Sequence, residues 1–155
     1  EINSYNNINF QKRIVGSKES KWEKLIVNFA GKIENELLSL NNMYSNVLYY
    51  PNIKNIPAFD LCYKNDNNKL ILIQITTQVD YGKEVRISAL NLLLSKKYLN
   101  CKMKDIDTLV LCSFRRHEEA KLKFLDEDNK ILKEDKEKDF LNGINQEVWK
   151  ITLSN

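Results

Sequence analysis

Apolar residues along the chain recur with two different spacings, and each spacing predicts a type of secondary structure. Between Trp22 and Leu40 they recur every three or four positions, which is typical of one face of an α-helix. Ser20, followed by Glu23 three positions later, is the pattern of a capping box at the start of this helix. A second helix is predicted from Lys83 to Tyr98, where apolar residues form two neighbouring stripes.

Alternating or continuously apolar runs predict the strands. From Phe59 to Lys64 apolar and polar residues alternate, and Leu70 to Thr77 is almost entirely aliphatic, as expected for a strand that is buried on both faces. The Asn-rich residues 65–68 between these runs predict a tight turn and therefore a hairpin. Further strands are predicted at Val47 to Tyr50, Asp107 to Phe114 and Glu147 to Leu153.

The remaining segments are rich in charge. His117 to Leu125 is predicted to be a charged helix, and Asp126 to Asp139 a solvated loop or an exposed helix. Residues 1–19 form a polar N-terminal segment, and residues 20–155 are predicted to form a single domain. The order of predicted elements, αβββαβ, indicates an α/β fold with a mixed central sheet flanked by helices.

Composition limits the class of protein. Of the 155 residues, 43% are hydrophobic and 29% are charged, which excludes disordered and collagen-like chains. The net charge of +3 permits nucleic-acid binding without requiring it. Three cysteines and a single histidine favour neither a disulfide framework nor a zinc site, so we expect a reducing, intracellular compartment. No apolar run is long enough for a membrane span, and the start at Glu1 suggests a piece of a longer protein.

Three polar residues stand in strands that are otherwise apolar. Asp60 lies in the first strand of the predicted hairpin, and Gln74 and Thr76 share one face of the second. Buried polar groups cost free energy unless they are paired, so the three residues need an explanation. One is structural: Asp60 accepts backbone hydrogen bonds from the turn around Pro57, and Gln74 bridges to a neighbouring strand. The other is a polar functional pocket on the sheet.

The stretch IPAFDLCYKNDNNKLILIQITT resembles the core hairpin of the PD-(D/E)XK nucleases. In that family an aspartate on one strand is followed by an acid-x-Lys triplet on the next. The Gln-x-Thr form of the second strand is more similar to the nuclease-like domains of crinkler and retrotransposon-hot-spot proteins. The resemblance implies a restriction-endonuclease-like core and a site for Mg²⁺.

The resemblance assigns roles to individual residues. Asp60 matches the metal-binding aspartate, and Gln74 matches the second acid, where an amide oxygen remains but the charge is lost. Thr76 stands at the lysine position and cannot stabilise developing negative charge as an ammonium group does. Glu36 is the helix-one carboxylate expected nearest this metal site, and Lys83 is the candidate to replace the missing lysine.

Basic residues elsewhere are candidates for phosphate contacts. Arg115 and Arg116 follow a predicted strand directly, and Lys96 and Lys97 would form a basic rim. The alternative is that these side chains form an ordinary solvated surface.

Two functions are therefore expected. One is a pseudonuclease that binds nucleic acid or protein within a larger effector- or toxin-like protein delivered into a host cell. The other is an active Mg²⁺-dependent phosphodiesterase that cuts DNA or RNA.

Overall fold

The structure is a computed structural model that describes residues 6–16, 21–33, 39–51, 55–77, 82–114 and 120–152. Within these ranges the chain forms an α/β fold of strands and two α-helices. The strands are β1 (Asn6–Ile14), β2 (Glu23–Phe29), β3 (Gly31–Ile33), β4 (Val47–Tyr49), β5 (Leu61–Lys64), β6 (Leu70–Thr76), β7 (Gly82–Arg86), β8 (Ile106–Ser113), β9 (Lys121–Leu125) and β10 (Asn145–Ile151). The helices are α1 (Ile87–Leu94) and α2 (Glu134–Leu141).

Most of the strands belong to one mixed sheet. Its eight strands are ordered β2-β1-β10-β8-β6-β5-β4-β3, and β7 and β9 form a separate two-stranded parallel sheet. Strands β6, β8 and β10 run parallel, whereas β4, β5 and β6 form an antiparallel meander. The predicted mixed central sheet is therefore confirmed.

The large sheet is curled so that its two edge strands meet at one corner. Its edge strands β2 and β3 are separated in the chain by Ala30 alone, and consecutive Cα atoms are about 3.8 Å apart. Aromatic residues from different strands pack inside the curl. The ring centroids of Phe29 and Tyr63 are 5.2 Å apart, and those of Phe10 and Trp149 are 4.9 Å apart. The concave face thus encloses one of the two apolar cores.

The second core lies on the outer face of the sheet, under α1, α2 and the small β7–β9 sheet. Strand β6 separates the two cores: Leu70 and Leu72 belong to the outer one, and Ile71 and Ile73 to the inner one. All four side chains are at most 4% exposed. The prediction that this strand is buried on both faces is confirmed.

The local patterns for β4, β5, β6, β8 and β10 were sufficient to predict those strands, with boundaries that differ by a few residues. Strand β5 pairs antiparallel with β6 through the predicted Asn-rich turn. In that turn the side chain of Asn65 accepts hydrogen bonds from the backbone N–H groups of Asn67 and Lys69. Helix α2 is mostly exposed, as one of the two alternatives for residues 126–139 predicted.

The helix predicted from Trp22 to Leu40 is wrong. Residues 23–29 and 31–33 are strands β2 and β3, and residues 34–38 lie outside the described ranges. Leu25, Val27 and Phe29 alternate with exposed residues, so the segment also carries the period of a strand. Pairing of β2 with β1 and of β3 with β4 stabilises the extended form, and the aromatic and β-branched residues favour it.

Two further helix predictions are wrong in part. The segment predicted as a helix from Lys83 to Tyr98 begins with β7, and helix α1 occupies the shorter range Ile87–Leu94. Within the predicted helix from His117 to Leu125, the described residues 121–125 form β9. The reason is that β7 and β9 pair along their whole length and bury Val85 and Phe124, which are 3% and 0% exposed.

The N-terminal segment is not separate from the fold. Residues 6–14, predicted to precede the domain, form β1 between β2 and β10 in the large sheet. The predicted boundary between residues 19 and 20 therefore falls between two paired strands. Neither α1 nor α2, the helices of the described ranges, is long and apolar enough to cross a membrane.

Candidate functional site

Asp60 lies directly before β5, after a turn with an unusual backbone. Asn55 and Ala58 have positive φ angles of 62° and 68°, and the N–H of Phe59 donates to the carbonyl of Pro57 at 2.8 Å. A left-handed conformation costs a residue such as alanine roughly 1 to 2 kcal/mol, whereas asparagine adopts it more readily. The turn is therefore held by its surroundings, and it brings Asp60 beside β6.

The carboxylate of Asp60 joins the start of β5 to β6. Its Oδ2 accepts hydrogen bonds from the Nε2 of Gln74 at 2.9 Å and from the backbone N–H of Ile75 at 2.8 Å. The backbone N–H of Asp60 in turn donates to the carbonyl of Ile73 at 3.0 Å. Asp60 and Gln74 therefore lie on the same side of the hairpin, as strand parity predicted. Among the described residues, the donors to this carboxylate belong to β6, whereas the structural explanation placed them in the turn around Pro57.

Gln74 and Thr76 are both buried, at 8% and 6% exposed. Being two positions apart on one strand, they point to the same face of the sheet, which is the face covered by α1 and β7. In the ladder between β6 and β8, Thr76 lies opposite Ser113. This end of the sheet is formed by the carboxyl ends of the parallel strands β6 and β8, the position where open α/β sheets commonly bind ligands.

A cleft of about 290 Å³ opens between Asp60 and β7. Gln74 lines the same cleft, and the opposite wall is formed by Lys83, Glu84 and Arg86. Lys83 shares the side of β7 that buries Val85, because the two residues are two positions apart. The structure thus places Lys83 near Asp60 and Gln74, although on a strand and not at the start of a helix.

Sequence reasoning missed Glu84 and Arg86. They belong to the stretch EVRI, whose alternation of charged and apolar residues was a signal for a strand. Both residues line the cleft, but they alternate with Lys83 and Val85 along β7 and are exposed.

Two other predicted site residues, Lys96 and Lys97, are not part of this cleft. Lys96 and Lys97 are exposed beyond the C-terminal end of α1 and do not line it. The Nζ of Lys97 lies 5.5 Å from the centre of the Tyr98 ring, a cation–π distance. Glu36, Arg115 and Arg116 lie outside the described residues.

Asp60 and Gln74, which the resemblance assigns to a metal ion, are hydrogen-bonded to each other. A hard cation such as Mg²⁺ takes oxygen ligands, yet Gln74 turns its amide nitrogen toward Asp60. Across the described ranges no group of three or more His, Cys, Asp or Glu side chains is placed to hold a metal ion.

Comparison with protein-family models, with curated proteins and with solved structures finds no match to this chain.

Proposed function

We propose that this chain is a PD-(D/E)XK-like domain that has lost catalysis and binds nucleic acid or protein as part of a larger effector- or toxin-like protein. Two features support the nuclease-like core. The order β4-β5-β6-α1-β8 repeats the βββαβ part of that core, apart from the insertion of β7 before α1. Asp60 and Gln74 stand at the two positions that the resemblance assigns to the metal-binding acids.

The hydrogen bond from Gln74 to Asp60 carries the proposal that catalysis is lost. A carboxylate at position 74 would repel Asp60 unless a cation lay between them, whereas the amide stabilises it without a metal. Gln74 can turn its oxygen toward a metal only by giving up this bond. Thr76 supplies no positive charge. The polar residues at this site therefore stabilise the hairpin, and binding is the function that remains.

Nucleic-acid binding is tested by fluorescence anisotropy with a labelled single strand and a labelled duplex. We expect Asp60→Ala to bind within twofold of the wild type, because Asp60 does not contact the ligand in this proposal. Replacing Arg115 and Arg116 by alanine should weaken binding. The slope of the logarithm of the binding constant against the logarithm of the salt concentration should become shallower by about one for each phosphate group that is no longer bound. Lys136→Ala, an exposed lysine on α2, is the matched control and should change neither. If neither nucleic acid binds, the partner is a protein.

An active Mg²⁺-dependent phosphodiesterase is the second candidate, and the position of Lys83 favours it. Lys83 lines the cleft with Asp60 and Gln74, where an ammonium group could stabilise negative charge on a phosphate. Asp60 and Gln74 would be the ligands of a Mg²⁺ ion, which would polarise the phosphate. In that case millimolar Mg²⁺ would raise the melting temperature of the wild type but not of Asp60→Ala, and Lys83→Ala would abolish cleavage.

A further inference from the structure

One edge of strand β2 pairs with no other strand of the described residues. The backbone partners of β2 in the described chain come from β1, along all seven residues from Glu23 to Phe29. In a paired strand, the backbone N–H and C=O groups of every second residue point away from the neighbouring strand. On the edge of β2 opposite β1, these groups form a row. Such a row of donors and acceptors can pair with another extended chain.

The unpaired edge borders a slot of the width of one strand. Strand β2 continues through Ala30 into β3, which pairs with β4, and β4 pairs with β5. Neighbouring strands are about 4.8 Å apart, so β4 fills the space between β3 and β5. β4 begins at Val47, and the backbone N–H of Ala30 donates to the carbonyl of Asn46 at 2.7 Å. Past Asn46, where β4 does not extend, a cavity of about 380 Å³ separates β2 from the end of β5. This cavity is the slot.

The walls of the slot suit an extended peptide. Leu25, Ile26, Val27 and Asn28 line one side, over roughly 10 Å at the rise of a strand. Leu25 packs against the inner core, and Ile26 on the other face is 50% exposed. A strand added here would place side chains beside both residues, so apolar groups on either of its faces would be shielded from water.

The opposite wall carries one acidic side chain, Asp66. It is exposed in the β5–β6 turn, and its Oδ1 accepts a hydrogen bond from the Nδ2 of Asn46 at 2.6 Å. Asp66 is the single ionisable acid or base among the described residues that line the slot, apart from the buried phenol of Tyr63. The slot is thus complementary to a basic side chain at one position of the ligand.

We infer that the slot binds an extended segment of a partner protein, which adds a strand to β2 and places a lysine or arginine next to Asp66. Backbone hydrogen bonds to β2 supply affinity, and the apolar and basic positions supply specificity. The inference rests on β2 and the β5–β6 turn and is independent of the cleft beside Asp60.

The test starts from a phage-displayed library of random octapeptides selected on the wild-type protein. We expect enriched peptides with a basic residue and β-branched residues, and we expect the synthetic form of the best peptide to slow amide hydrogen exchange at alternate residues of 25–28. Methylating alternate backbone nitrogens of the peptide should abolish binding, because a strand pairs through those N–H groups.

Matched variants locate the binding site. Ile26→Lys should weaken the best peptide at least tenfold, whereas Ile131→Lys, at a similarly exposed isoleucine (52% against 50%) outside the slot, should stay within twofold. Asp66→Asn keeps the acceptor for Asn46 and should weaken the peptide about threefold, as for an exposed ion pair. Glu127→Gln is its control. Glu127 follows Asp126, whose side chain accepts two backbone hydrogen bonds within its turn, just as Asp66 follows Asn65 in the β5–β6 turn.

Three outcomes overturn the inference. They are the failure of the selection to enrich any peptide, binding that is unaffected by Ile26→Lys, and a concentration-dependent dimer of the wild type that Ile26→Lys dissociates. The last would show that a second copy of β2 occupies the edge. Melting curves of all four variants verify that each is folded.

Discussion

Removing the carboxylate of Asp60 should destabilise the fold measurably. In Asp60→Ala the Nε2 of Gln74 and the N–H of Ile75 lose their shared acceptor. A hydrogen bond to a charged group contributes about 1.5 to 3 kcal/mol. Asp60 is exposed, so water can replace part of the loss, but Gln74 is only 8% exposed. We expect a loss of about 2 kcal/mol in the free energy of unfolding, equivalent to roughly 4 to 8 °C in melting temperature for a chain of this length.

Conservative and distant variants separate this effect from a general loss of charge. Asp60→Asn keeps an oxygen acceptor and should lose about half as much as Asp60→Ala. Asp128→Ala, at an exposed aspartate of another turn, should change the free energy by less than about 0.5 kcal/mol. Combining Asp60→Ala with Gln74→Ala should give a coupling energy of about 1 kcal/mol, because the two side chains are in direct contact.

The assay is urea denaturation followed by circular dichroism, with a thermal melt as a second measurement. A melting temperature of Asp60→Ala within about 1 °C of the wild type would refute the structural role of this carboxylate. Equal losses for Asp60→Ala and Asp60→Asn would refute the argument that Oδ2 acts as a hydrogen-bond acceptor.

Two further predictions follow from the cores. Burial raises the pKa of Cys62 and of Cys112 to about 12, and of Cys101 to about 11, from an ordinary value of 9.0. The contribution of these protonated thiols to the free energy of unfolding is full below about pH 9 and is lost as the pH rises through about 11 to 12. In urea titrations, the free energy of unfolding of Cys62→Ala should therefore fall less steeply at alkaline pH than that of the wild type. A decline of equal steepness in this variant would contradict the assignment. Trp149→Ala should cost about 3 to 5 kcal/mol because Trp149 is 3% exposed inside the curled sheet; a loss below about 1 kcal/mol in the same titration would be inconsistent with that core.

The β5–β6 hairpin was predictable because its signals are local. The alternation before residue 65, the Asn-rich turn and the aliphatic run after it each specify one structure. The side shared by Asp60 and Gln74 followed from strand parity. Which atom of Gln74 faces Asp60 was not predictable, because the answer depends on the rotation of the amide.

The segment 22–33 was mispredicted because its apolar residues fit two periods. Trp22, Leu25 and Phe29 have the spacing of a helix, whereas Leu25, Val27 and Phe29 have that of a strand. The choice between them is made by pairing with β1 and β4, which lie elsewhere in the chain, and no local pattern reports it. Lys83 was a candidate for the site as the first residue of a predicted helix, yet it is strand β7 that places it in the cleft.

The most direct test of the central claim is plasmid cleavage by the wild type and by Asp60→Ala, each with Mg²⁺ and with Mn²⁺. Removing one group that stabilises transition-state charge typically costs about 10² to 10³ in rate, and in the proposed nuclease-like site Gln74 and Thr76 stand where the second acid and the lysine would be. We expect rates at background for both proteins, equal within twofold. Cleavage by the wild type that disappears in Asp60→Ala would contradict it, and Lys83 would then be the first residue to test as the replacement for the lysine.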